Sequence, residues 1–377
     1  MAADPDILEP DRIEGAPHPR ETHHVFGHQG AEAEFLRAFT SGRLHHGWLI
    51  TGPRGVGKAT LAWKLARFLL ATPIDDGGLF GAPPPPGTLD ISPDDPVARH
   101  MRALAEPRLF LVRRGLNEKE TGLSAVIRVD EVRELKNFLN LSAVDGGRRA
   151  VILDCADEMN PNASNAVLKI LEEPPANVTF FLISHQPFRL LPTIRSRCRE
   201  LRLSPLSPAD LADALAQAGG ETGPEEAVAL AELAGGSVGE AFRLTNTDGL
   251  AVYSQLVGLL SNLPRLDRAR ALALAETAAG KAGEARFDLI VTLIDLFLAR
   301  LARAAALRQL PPEAAKGESD LFTRLSNHPQ AAQAWAELAQ SLSQRARRGK
   351  AVNLDPAALL MDMVLKLEET AGSLAHR

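Results

Sequence analysis

At 377 residues, with 45% apolar and 24% charged side chains, the chain is long enough for two or three folded domains and too apolar to be disordered. A formal net charge of −5 argues against a stand-alone nucleic-acid binder, which usually carries a basic excess. Its two cysteines, Cys155 and Cys198, exclude a disulfide framework and a four-cysteine zinc module.

Residues 1–22 are acidic and Pro-rich, lack the apolar core of a signal peptide, and read as a flexible tail. In "QGAEAEFLRAFTSG", Phe35, Leu36 and Phe39 stand at helical spacing and Gly42 marks a stop. "HGWLITG" predicts a buried strand feeding a Gly-rich turn, and "KATLAWKLARFLL" a helix with Leu61, Leu65, Phe68 and Leu69 on one face. Residues 73–96 are dense in Pro, Gly and Asp and read as a surface insertion or linker. The runs "RLFLVRR", "RAVILDCA", "NVTFFLISH" and "CRELRLSP" alternate with helical patterns, which predicts a mostly parallel sheet covered on both faces. From Pro205 onward only Ala/Leu-rich amphipathic segments follow, with no internal repeat. The expected architecture is an α/β domain with a phosphate loop over 23–204, a small helical domain over 205–248 and an all-α domain over 249–377. No run of about 18 apolar residues is long enough to span a membrane, so a cytoplasmic protein is expected.

"TGPRGVGKAT", Thr51 to Thr60, nearly completes the pattern G-x-x-x-x-G-K-[Ser/Thr]. Gly52, Gly55 and Gly57 would let backbone N–H groups turn toward phosphates at a helix N-terminus, and Lys58 would reach the outer phosphates. Ala59 stands where a hydroxyl would ligate magnesium. Thr60 is next door, but one helical residue is a rotation of about 100 degrees. After the strand "RAVIL", Asp154 is placed to hold magnesium through water. Cys155 occupies the position where a hydrolysing site carries a carboxylate to deprotonate water. A thiol with an ordinary pKa of about 8.5 is a poor substitute, so Cys155 reads as a small strand-end residue, and Asp157 and Glu158 as loop or helix-cap acids.

"HHGWLITGPRGVGKATLA", "ILDCADEMNPNASNAVLKILEEPPANVTFFLIS" and "LLPTIRSRCREL" resemble the bacterial DNA polymerase III clamp-loader subunits, which are AAA+ proteins. The resemblance covers about residues 23–250 through motifs, and beyond them only through a helical tail of suitable length. It implies that motor subunits carry Ser or Thr where Ala59 stands, Glu where Cys155 stands, and Arg where Gly239 of "GGSVG" stands. It makes Ser184 a retained sensor of the γ-phosphate, and Arg197 of "RSRC" a finger pointed at ATP held by a neighbouring subunit. A guanidinium suits that task, being planar, always charged and able to donate two parallel bonds. Without the resemblance, the alternation of Arg195, Arg197 and Arg199 reads as a solvated charged edge.

The candidate site residues are therefore Arg197 as a catalytic group acting in trans, and Gly52, Gly55, Gly57, Lys58, Thr60, Asp154 and Ser184 as a degenerate nucleotide site with no metal of its own. ATP or ADP is expected to bind weakly at most, with magnesium disfavoured. Several relatives carry a zinc module where this chain has its cysteine-free segment 73–96, so zinc is not expected. The implied partners are the ATPase motor and delta-type subunits of a hetero-pentameric ring. Through that ring come the sliding clamp and primed DNA, with residues 205–248 as a lid and 249–377 as a collar. The alternatives are an active ATPase motor of the same assembly and a P-loop small-molecule kinase.

Overall fold

Four short runs rich in apolar residues and one charged run, Arg199–Arg202 at the sheet edge, form the strands. In the computed structural model, which describes residues 9–10, 12–13, 15–73, 84–117, 119, 122–140, 147–220, 223–280 and 283–375, they are β1 (Gly47–Thr51), β2 (Leu109–Val112), β3 (Arg149–Leu153), β4 (Val178–Ser184) and β5 (Arg199–Arg202). All pairs are parallel and the order is β2-β3-β4-β1-β5. The helices among and after them are α1 (Gln29–Thr40), α2 (Lys58–Ala71), α3 (Pro96–Arg102), α4 (Val129–Asn140), α5 (Pro161–Glu172), α6 (Pro192–Arg195) and α7 (Pro208–Gln217).

The two-residue side-chain period of a strand explains the burial of both faces. Trp48, Ile50, Ile152 and Phe181 enter one core with Phe35 of α1 and Leu61, Leu65 and Phe68 of α2. Leu49, Val151, Leu153 and Phe180 enter a second core with Val132 of α4 and Val167 and Leu171 of α5. Helix α5 starts where the sequence dictates. The Asn160 side chain accepts the Ala163 N–H at 2.8 Å, and Pro161 stands at the first turn, where its missing N–H costs nothing.

Two segments assigned to loops by composition are packed instead. The described part of the expected tail includes His18, which is buried edge-on to Trp63 with ring centroids 5.9 Å apart, and Arg20, whose carbonyl accepts from Arg67 at 2.7 Å. A large indole surface on α2 needs cover, and this stretch provides it; residues 1–8, 11 and 14 lie outside the described residues. Within the expected insertion, Leu89 is buried in the core beside α2, and Asp90 pairs with the buried Lys64 at 2.9 Å. Positions 74–83 of that insertion lie outside the described residues.

The chain divides into two compact units, Met1–Gly220 with Ser237–Gly239, and Glu221–Gly236 with Glu240–Arg377. The expected lid is thus shared between them. The second unit is built from α8 (Pro224–Ala234), most of α9 (Val238–Asn246), α10 (Gly249–Leu260), α11 (Arg268–Glu276), α12 (Glu284–Leu307), α13 (Glu318–Leu325), α14 (Ala331–Ala351) and α15 (Pro356–Ala375). Among its described residues there is no strand. Its core includes Phe297 edge-on to Phe322 and the buried Trp335, whose indole N–H donates to Leu325 O at 3.0 Å.

One charge network is buried there. Arg300 donates to both carboxylate oxygens of Glu318 at 3.1 Å and to Glu232 at 2.8 Å, and the Tyr253 hydroxyl donates to Glu318. Burial, reinforced by the Glu318 charge, holds the Tyr253 hydroxyl protonated. Every member has a partner, as a buried charge requires. Among the described residues no helix is long and apolar enough to cross a membrane.

Candidate functional site

The C-terminal ends of β1 and β4 lie side by side, Thr51 opposite Ser184, which is where open parallel sheets bind ligands. The loop that leaves β1 needs glycine twice for space. At Gly52, φ is +144° and a Cβ would lie 2.5 Å from Leu203 O. At Gly55, φ is +73° and a Cβ would lie 2.1 Å from Ser237 Oγ and 3.0 Å from Gly239 N. The crowding at Gly55 comes from Ser237–Gly239 folding onto the loop, with the Val238 N–H donating to Gly55 O at 2.9 Å. Gly57 leads into α2 at φ 98°, and the buried His28 donates from Nε2 to Val56 O at 2.6 Å.

Lys58 turns inward. It is 3% exposed, and its Nζ donates to Gly52 O at 2.8 Å and to Pro53 O. Burial lowers its pKa to about 8, against the opposing pull of Cys155, Asp157 and Asp154. The amine thus satisfies carbonyls of its own loop. The first turn of α2 places Ala59 across from Asp154, around a cavity of about 10 Å³ that also touches Trp63 and Ile183. That volume is near the lower limit for one water. Thr60, half-buried in the same turn, does not line it. Magnesium prefers six oxygen ligands in an octahedron, and one carboxylate opposite a methyl group does not fit it. Among the described residues no group of three or more His, Cys, Asp or Glu is placed to hold a metal.

Cys155 sits at the end of β3 in the left-handed region, φ 51°, with Sγ 3.3 Å from His185 Nε2. Burial first, then Asp154 and Glu158, push the thiol pKa far up. Burial, then the Lys58 charge, lowers His185 to about 4. At neutral pH a protonated thiol therefore faces a neutral imidazole, and neither is an effective base. The nearby acids are committed elsewhere. Asp157 accepts the His185 N–H at 3.0 Å, and Glu158 pairs with Arg54 and Arg114, each at 3.0 Å. Ser184 is fully buried and its Oγ has no hydrogen-bond partner. His28 and His185 are site residues that sequence reasoning missed, since their contacts bridge about 30 positions and follow no spacing rule.

Arg197 is at the opposite end of the sheet. A Cβ on Gly47, the first residue of β1, would lie 3.2 Å from Arg197 O and 3.1 Å from Cys198 Sγ. Five residue steps from Gly47 to Gly52 at ~3.3 Å each put roughly 16 Å of strand between this corner and the phosphate loop, beyond the reach of one side chain. The Arg197 guanidinium, 35% exposed, donates to Glu172 Oε1 at 2.9 Å and to Thr193 O at 3.0 Å. Its neighbours have other roles. Arg195 lies over the Phe188 ring at 5.7 Å, while Arg199 lies over Trp48 at 5.4 Å and pairs with Glu34 at 2.8 Å.

Residues 27–207, a little under half of the chain, match the family described as DNA polymerase III, delta subunit. Over these residues the chain is similar to the delta and delta' subunits of DNA polymerase III. The subunit delta' of Pseudomonas aeruginosa is 40% identical over 153 residues, covering 41% of this chain and 41% of that protein. The subunit gamma of Buchnera aphidicola subsp. Schizaphis graminum is 26% identical over 230 residues, covering 60% and 58%. The matched stretches span about half the length of these relatives. A solved structure of a DNA polymerase III gamma subunit-related protein from Thermotoga maritima aligns over 89% of this chain and 99% of that one, with a TM-score of 0.39 and 18% identity. The matched residues, which form the parallel sheet, contain both the phosphate loop and Arg197.

Proposed function

We propose that this chain is a delta-prime-type clamp-loader subunit that does not hydrolyse ATP itself and lends Arg197 to a neighbouring ATPase subunit. The observation that carries the reading is the separation along β1. A guanidinium at the N-terminal edge of the sheet cannot serve the phosphate loop at the C-terminal edge of its own domain, so a phosphate for it must come from another chain. There it would donate parallel N–H bonds to phosphate oxygens as charge develops in the transfer. Such a finger contributes on the order of 10³ or more in rate. The home site supports the same reading. Ala59 offers no hydroxyl to a metal, a protonated thiol replaces a base at Cys155, and Lys58 is bonded to its own loop.

On this reading ATP or ADP binds weakly or not at all. The chain works in the cytoplasm within a hetero-pentameric ring of motor and delta-type subunits that places a sliding clamp on primed DNA. The helical second unit acts as the collar. A second reading, an active motor, has the gamma-named relative and the retained Lys58 and Asp154 in its favour. Steady-state ATP turnover of the reconstituted loader separates them. Loss of DNA-stimulated turnover with Arg197→Ala but not with Lys58→Ala supports the finger in trans. The reverse pattern makes this chain a motor.

A further inference from the structure

Arg197 does not hang free in solvent. One nitrogen donates to Glu172 Oε1 at 2.9 Å and the other terminal nitrogen to Thr193 O at 3.0 Å, so the guanidinium is held from two elements at once. Glu172 is the last residue of α5, and a carboxylate there lies against the negative end of the helix dipole. Its local electrostatics are therefore unfavourable by themselves. The pair is too exposed to matter much for stability, with 35% and 42% of the two side chains open to solvent, where screening leaves such pairs little net worth. What α5 does supply is a rigid base. Leu171, next to Glu172, is buried, and its Cδ2 lies 3.6 Å from where a Gly47 Cβ would be, so the helix end is docked on the first residue of β1.

We propose that Glu172 is the positioning residue for Arg197, holding the guanidinium at the sheet edge in the pose in which it meets a neighbour's phosphate. The proposal rests on the trans reading given above. Arginine has many rotamers to lose on docking, and two bonds made beforehand remove much of that loss. Five N–H donors are available and two are used, which leaves donors for phosphate oxygens. A wandering guanidinium would dock less often in the productive geometry, and misplacement of a charge-stabilising group by about 1 Å can cost as much as 100-fold. Because the effect is on geometry at the reacting centre, it falls on kcat of the partner's ATPase and not on its KM.

The test is ATP turnover of the reconstituted loader with Glu172→Ala, Glu172→Gln, Arg197→Ala and the Glu172→Ala/Arg197→Ala double variant, with assembly checked by size-exclusion chromatography. Glu172→Ala is expected to lower kcat about tenfold at unchanged KM and unchanged assembly. Glu172→Gln, which keeps an acceptor oxygen, should recover kcat to within about threefold of the parent, and the double variant should be no slower than Arg197→Ala alone. If Arg197→Ala is slow while Glu172→Ala matches the parent or exceeds it, positioning by Glu172 is wrong and the finger stands. Should Arg197→Ala itself turn over normally, both ideas fall together. A further slowing in the double variant would show Glu172 acting independently of Arg197 and would also overturn the proposal.

Discussion

The two ends of β1 carry opposite versions of the same chemistry. At the C-terminal end a cation, Lys58, is buried and bonded to carbonyls of its own loop, with a methyl group and a protonated thiol in place of metal ligand and base. At the N-terminal end a cation, Arg197, is a third exposed and held by one carboxylate and one carbonyl, with donors to spare. Burial makes the first group costly to keep charged and awkward to use. Exposure leaves the second charged, screened and available. On the proposed reading, a loop that keeps its glycines and lysine is the silent end of the domain, and a single arginine beyond it acts at a neighbour's site.

The largest expected effect breaks the comparison directly. Arg197→Ala should lower DNA-stimulated turnover of the assembled loader on the order of 10³-fold, about 4 kcal/mol in the barrier, while Lys58→Ala leaves it within about twofold. Equal losses from the two variants would mean that both ends of β1 take part in hydrolysis.

Next is the pH dependence of the buried end. The Lys58 pKa falls from 10.5 to about 8 in the folded chain. Below pH 8 both folded and unfolded states carry the proton, and the full cost of the buried charge is present. Between pH 8 and 10.5 the unfolded state binds more protons at this group, so the Lys58 contribution to stability rises with pH in that window, by up to about 3 kcal/mol. The buried thiols of Cys155 and Cys198, whose pKa values burial raises, pull stability the other way in parent and variant alike, so denaturant unfolding at pH 7.5 and pH 10 should show the parent gaining stability relative to Lys58→Met. A parent-minus-variant difference that does not change between those pH values would show that Lys58 is not held in this dry environment.

A smaller effect tests what closes over the loop. Gly55→Ala imposes a positive φ on alanine and drives its methyl into Ser237 and the Gly239 backbone, which should cost about 2 kcal/mol in denaturant unfolding. A cost under about 0.5 kcal/mol would mean that Ser237–Gly239 readily leave the loop, and the site would then be more open to nucleotide than its geometry indicates.

Much of the first unit was legible in sequence because local signals agreed with the fold. Apolar runs with Gly and Asn at their ends became parallel strands, and the glycine spacing from Gly52 to Gly57 demanded the loop. Ala59 and Cys155 were legible as departures from the phosphate-loop pattern for the same reason, since their neighbours fixed where they had to stand. Composition misled at residues 15–22 and at Leu89, where Pro-rich and acidic stretches cover α2 because Trp63 and Lys64 on that helix require partners. The inward turn of Lys58, the Cys155–His185 contact and the Glu172–Arg197 pair left no sequence signal. Each is a tertiary meeting, governed by which side chain fills the space that another leaves. The triplet Arg195, Arg197, Arg199 shows the limit best, for equal spacing concealed three unequal environments.

That last inequality makes the finest test of the comparison. Arg199 and Arg197 are two residues apart, yet Arg199 stacks on Trp48 at 5.4 Å and pairs with Glu34 of α1, so both of its contacts hold the domain together. A cation over an indole and an exposed ion pair contribute about 0.5–1 kcal/mol together, and neither involves a neighbouring chain. Arg199→Ala should therefore lower unfolding stability by about 1 kcal/mol and leave loader turnover within about twofold of the parent. Arg197→Ala should do the reverse, changing stability by less than about 0.5 kcal/mol because its Glu172 pair is exposed. If both variants slowed turnover equally at equal stability, the row would be acting as a diffuse basic edge and the special standing of Arg197 would be lost.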